Sequence, residues 1–164
     1  MRKAAAFILL LQIAAGISSA VSQTAAPDRL AELDAFWREA SRTVREGDFA
    51  GYKATYHEDA VLVSLKDSVP IGSALARWKP GFDRTKAGNM KASVRFKFAK
   101  RVGDGTTAHE SGIFLYSETA ADGKVKDSYV HFDALLVKRG KWKMVMEYQK
   151  NEATKAEWDA LPEK

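Results

Sequence analysis

The sequence contains no cysteine. That single absence removes disulfides, thiol nucleophiles and cysteine-ligated metal sites, so stability must come from packing and hydrogen bonding. Histidine is scarce as well, at three residues, and His57, His109 and His131 are expected on a helix–strand junction and on opposite sheet faces, where they cannot converge on a metal. The stretch His57-Glu58-Asp59 is rich in ligand atoms, but neighbours in an extended segment point apart. There is no glycine-rich phosphate loop, no Ser/His/Asp arrangement, and no internal repeat.

No apolar run reaches the roughly 20 residues that a membrane span needs. The longest, Ala4 to Leu11, follows Arg2 and Lys3, is interrupted by Gln12 and Gly16, and ends in the small residues Ser18-Ser19-Ala20. A charged start, a short apolar stretch and a small-residue site describe a secretory signal peptide over 1–20, cut after Ala20. A secreted or periplasmic protein is expected, with a short linker at 21–27, no membrane contact after cleavage, and one domain over 28–150. Residues 151–164 read as a short helix or a frayed end.

Excess charge of one sign is modest too. The formal +5 falls to +3 once Arg2 and Lys3 leave with the signal. The remaining basic residues alternate along strands or sit in turns, as on a solvated sheet face; Arg95 and Lys97 form at most a weak anion patch, and no nucleic-acid partner is expected.

What is present is a helical stripe followed by strands. Leu30, Leu33, Phe36, Trp37, Ala40 and Val44 recur at helical spacing from Asp28 to Glu46, and Gly47 stops the helix. Asp48 should cap a short second helix carrying Phe49, Tyr52 and Tyr56. A strand follows over Ala60 to Val63. Ser73 to Lys86 predicts a third helix interrupted at Pro80-Gly81, bringing Trp78 and Phe82 near the mouth of the sheet. Four strands then alternate over 92–101, 106–119, 125–138 and 141–150, joined by Gly103-Asp104-Gly105, Asp122-Gly123 and Arg139-Gly140. Helices first and antiparallel strands after is the order of an α+β domain, with helices on one face of a curved sheet.

Counting outward from those turns, taken as three, two and two residues long in that order, assigns one aromatic face. It holds Val94, Phe96, Phe98, Glu110, Gly112, Phe114, Tyr116, Tyr129, His131, Asp133, Leu135, Met144, Met146 and Tyr148. With Trp37 and Tyr52 leaning in from the helices, the expected ligand-contacting set is Trp37, Tyr52, Phe96, Phe98, Glu110, Phe114, Tyr116, Tyr129, Met146 and Tyr148. Asp133 and His131 are the candidate catalytic pair. A carboxyl in apolar surroundings resists ionisation, and an imidazole titrates near neutrality. Structural roles stand beside these: Asp133 could bond a backbone amide or the Trp37 indole, Glu110 could be a solvated rim residue, and the large apolar residues are packing first. The opposite face has an apolar middle, which predicts a homodimer through the outer sheet face.

The segments "GDFAGYKATYHEDAVLV" (47–63) and "DALLVKRGKWKMVMEY" (133–148), with the helix-then-sheet order, resemble the nuclear-transport-factor-2-like superfamily, in particular its SnoaL-like and ketosteroid-isomerase-like bacterial members. The resemblance implies a cone: a bent antiparallel sheet wrapped around helices, a pocket at the wide end, and frequent dimerisation through the outer face. It also implies a test of isomerase chemistry. Ser64 stands where those enzymes carry their carboxylate base, Asp133 matches their protonated aspartate, and their first-helix tyrosine falls near Ala40. Two of three catalytic groups are missing. The function expected is therefore an exported protein binding a small apolar or aromatic molecule without a cofactor. The alternative is a cofactor-independent acid–base enzyme, of isomerase, cyclase or hydratase type, using Asp133 and His131.

Overall fold

A computed structural model describes residues 27–163; the expected signal peptide and most of the linker lie outside them. The chain begins with α1 (Pro27–Glu46), whose Leu33, Phe36, Trp37, Ala40 and Val44 are buried as the spacing predicts. Gly47 ends it at φ 65°, a conformation that costs glycine little, and a Cβ there would lie 2.5 Å from the Lys86 backbone nitrogen. Asp48 then caps α2 (Phe49–Ala54) by accepting a hydrogen bond from the Gly51 amide at 2.9 Å.

Tyr56 does not belong to that helix, as its sequence suggests, but opens β1 (Tyr56–Ser64), which is longer than expected. The short β2 (Ser68–Pro70) leads into α3 (Ile71–Lys86). This helix runs unbroken through Pro80, against expectation. Burial of Ile71, Ala74, Leu75 and Phe82 outweighs one missing amide donor. Four long strands follow: β3 (Met90–Gly103), β4 (Thr107–Ala120), β5 (Val125–Arg139) and β6 (Lys141–Glu152). The tail forms α4 (Lys155–Ala160), held at its start by a capping box between Thr154 and Glu157.

The six strands make one curved, unclosed sheet in the order β2-β1-β6-β5-β4-β3, antiparallel except where β1 lies parallel to β6. This is the expected α+β class. Its concave side holds α1 against Phe96, Phe98 and Phe132, with the Trp37 ring 4.4 Å from Phe96 and 5.4 Å from Phe98 between centroids. On the convex side α4 lays Trp158 over Ile113 and Leu115.

The register corrects the expected face at β5. Ala120 and Lys124 flank a three-residue loop, closed by Gly123 at φ 82°, where two residues were expected. One extra loop residue turns every following side chain over. Tyr129 therefore faces Leu115, His131 faces Ile113 and Asp133 faces Ser111, all on the convex side. A bulge in β6 opposite Leu135/Leu136 then splits the last strand: Met144 points inward with Leu136, Met146 and Tyr148 outward with Leu135 and Asp133, and Glu147 inward beside Leu62. Val94, Phe96, Phe98, Glu110, Gly112, Phe114 and Tyr116 keep their expected concave side.

Candidate functional site

Between α1, α2, α3 and the concave face lies an open cavity of about 430 Å³. Its walls are Trp37, Tyr52, Trp78, Phe82, Phe96, Phe114, Tyr116 and Phe132, together with Val94, Val130 and Met144. Five of the expected ligand-contacting residues, Trp37, Tyr52, Phe96, Phe114 and Tyr116, do line it. Phe98 and Glu110 lie outside the lining, and Tyr129, Met146 and Tyr148 are on the other side of the sheet.

The proposed catalytic pair is also displaced. Asp133 holds an ion pair with Lys150 at 2.6 Å and faces His109 at 3.5 Å on the convex side, where its side chain keeps 16% exposure. His131 sits 3.3 Å from Glu157 of α4. Both residues bind the convex surface together rather than meeting a cavity, and the reason is the single added loop residue before β5. The hydrogen bond expected of the Trp37 indole exists with another partner: it is donated to Glu110, which has no exposed surface and also accepts from Arg101. Glu110 is thus an internal anchor for α1, not a rim residue.

The polar end of the cavity comes from residues the sequence did not single out. Glu147 of β6 is 8% exposed, accepts a hydrogen bond from Gln149 Nε2 at 2.6 Å, and accepts another from the Tyr56 hydroxyl. The Tyr52 and Tyr56 hydroxyl oxygens are 3.2 Å apart. Burial pushes the Glu147 carboxyl above the usual carboxylate range, against the pull of its bonds from Gln149 and Tyr56. Burial likewise raises both tyrosines, and the neighbouring Glu147 charge adds to it. Since Tyr56 has one proton and donates it to Glu147, Tyr52 is the donor to Tyr56 while Glu147 is ionised. Protonation of Glu147 lets the chain reverse and frees a donor for a molecule in the cavity. Chemically, the cluster can grip one polar group or pass one proton. The only sequence signal for it was the imperfect alternation of KWKMVMEY, which hides the bulge. Among the described residues no group of three or more histidines or acidic residues is placed to hold a metal.

The raised Glu147 pKa has a consequence for stability. A folded-state value above the ordinary 4.5 means that its contribution is full below that pH and is lost as pH rises through the folded value. Glu147→Gln removes this slope. Melting curves of variant and wild type from acid to about pH 8 should therefore diverge, the variant gaining a few degrees relative to wild type at the alkaline end. A constant difference across the series would refute the assignment.

No protein-family model matches the sequence, and no curated protein does. Solved structures do match. A ketosteroid isomerase-like protein from Erwinia carotovora atroseptica superposes with a TM-score of 0.57 at 17% identity, covering 79% of this chain and 99% of that one. An NTF-2 like protein of unknown function from Shewanella oneidensis gives 0.58 at 14% identity, over 74% of this chain and 98% of its own. A protein from Catenulispora acidiphila in complex with S-DNPA gives 0.60 at 15% identity, over 74% and 91%. At such identities the likeness speaks for backbone architecture, not chemistry. Helices packed into an unclosed curved sheet of this strand order, together with these matches, establish that the chain has the nuclear-transport-factor-2-like fold.

Proposed function

We propose that this is an exported protein that binds a small apolar or aromatic molecule in the cavity, its polar group gripped by Glu147, Tyr56 and Tyr52. The observation that carries the reading is an aromatic-walled space of about 430 Å³ whose innermost polar groups form one connected cluster. Apolar walls with a few convergent polar groups are what small-molecule sites are made of. That one protein of the same fold forms a complex with S-DNPA agrees with it.

The test uses N-phenyl-1-naphthylamine, a neutral dye that brightens in apolar surroundings. Gly81 lines the cavity from α3, and a Cβ there meets only Met90 Cε, at 3.9 Å. Gly81→Phe should therefore fold, fill the space and weaken dye binding at least tenfold, an effect of ~1.4 kcal/mol or more. Binding unchanged in a folded Gly81→Phe protein would place the dye elsewhere and reject the reading.

Export and self-association belong to the same proposal. On the convex side Val61, Val63, Leu135, Val137, Met146 and Tyr148 form a half-buried apolar stripe across β1, β6 and β5. A second copy of the chain covering it would make the expected homodimer, with one surface serving both subunits. Native mass spectrometry of protein recovered from the exported fraction reads both points. Twice the mass of a chain beginning at Val21 is expected, and a monomer or an uncut chain counts against the corresponding half.

A further inference from the structure

The mouth of the cavity differs in charge from its interior. Arg77 and Arg84 lie seven residues apart on α3, about 10 Å along the helix axis, and both line the cavity. Both are exposed, and neither has an ion-pair partner among the described residues, although the same helix pairs Lys79 with Asp83 at 2.7 Å. The Tyr116 hydroxyl of β4, another residue of the lining, is pushed up by burial and by the Glu118 carboxylate of its own strand, with Arg84 opposing them more weakly. Among the described residues the lining holds one carboxylate, Glu147, which lies at the inner end and is engaged by Tyr56 and Gln149.

We infer that the molecule this cavity takes is an amphipathic anion, an apolar body carrying one acidic group held at the mouth by Arg77 and Arg84. The inference rests on the binding role proposed above and adds the ligand's charge and orientation. Two guanidinium groups at an apolar opening, neither in an ion pair among the described residues, favour a carboxylate, sulfonate or phosphate at that end, which would compete there only with the Glu118 carboxylate near Tyr116. The far end of the molecule then meets the Glu147–Tyr56–Tyr52 cluster, which suits a neutral carbonyl or hydroxyl. A neutral apolar compound would use the walls and leave both arginines in water.

Two dyes separate these cases, because 8-anilino-1-naphthalenesulfonate has the body of N-phenyl-1-naphthylamine plus one sulfonate. Each is titrated onto the purified wild-type protein and onto the Arg77→Gln/Arg84→Gln double variant, at about 20 mM and about 300 mM salt. The wild type should prefer the sulfonate dye roughly five-fold at low salt, as two partly exposed pairs allow. In the double variant that preference should fall to parity while the neutral dye binds as before, and salt should have the same effect on the wild type. Equal affinity for the two dyes in wild type, or a preference that survives in the double variant, overturns the inference and leaves the binding role standing. If neither dye binds, or Gly81→Phe weakens neither, the binding role fails and this inference with it.

Discussion

Arg101→Met is expected to destabilise the fold by about 3–5 kcal/mol, because it strips a buried carboxylate of its counter-charge. Glu110 has no exposed surface, and Arg101 keeps 12% of its side chain exposed. The arginine donates from Nε to Glu110 and from Nη1 to Asp34 Oδ1 at 2.5 Å, and its guanidinium lies 4.5 Å from the centre of the Phe98 ring. Without it the Trp37 indole is the one side-chain donor left to Glu110 among the described residues, and it cannot offset the loss of hydration. Urea denaturation provides the measurement. The diagnostic comparison is the double variant Arg101→Met/Glu110→Gln, which removes the orphaned charge while keeping an acceptor for Trp37; it should recover a large part of the loss. If the double variant is no more stable than Arg101→Met, the penalty is lost packing and the charge argument is wrong.

The second large effect is expected at Gly112, where alanine should cost about 3 kcal/mol or more through overpacking against backbone. A Cβ at this position would stand 2.0 Å from the Lys97 carbonyl oxygen and 2.9 Å from the Phe98 Cα. Neither atom belongs to a flexible side chain. Relief would require β3 and β4 to separate beside the bulge between Phe98 and Lys100, where the pairing is already irregular. Gly105→Ala is the matched control, since a Cβ there meets nothing within 4 Å, and its effect should stay within about 0.5 kcal/mol. Thermal unfolding of the two variants against wild type decides it: a Gly112→Ala protein melting with the Gly105→Ala control would mean the strands yield more easily than close packing permits.

Much of the fold was legible because its signals are local. The stripe from Leu33 to Val44 defines one helix face, the run from Val94 to Phe98 defines one strand face, and Gly47 and Asp48 mark a stop and a cap. Each needs only the period of the element and the chemistry of its ends. Pro80 misled because its local cost is real, yet Ile71, Ala74, Leu75 and Phe82 hold α3 continuous through burial that no local rule contains.

The site was legible in part and for the same reason. Trp37, Tyr52, Phe96, Phe114 and Tyr116 fall on the lining of the cavity, and all lie before the Asp122-Gly123 turn, where parity had not yet been lost. Asp133, His131, Tyr129, Met146 and Tyr148 lie after it, and one loop residue carried them to the convex side. Glu147 was hidden by a bulge, and Tyr56 by a helix end that ran two residues short of its sequence pattern.

By itself, then, the sequence determined the helix-then-sheet order, the α+β class, the aromatic character of one sheet face and the absence of thiol chemistry. Periodicity and composition carry these, and both survive an error of one residue. Only the tertiary structure decided that Glu147 with Tyr56 and Tyr52 forms the polar end of the cavity, that Asp133 pairs with Lys150 outside it, and that Glu110 anchors α1 within. Those outcomes depend on the parity of a loop and the position of a bulge, and a strand's period of two turns a single residue into the opposite side of the sheet.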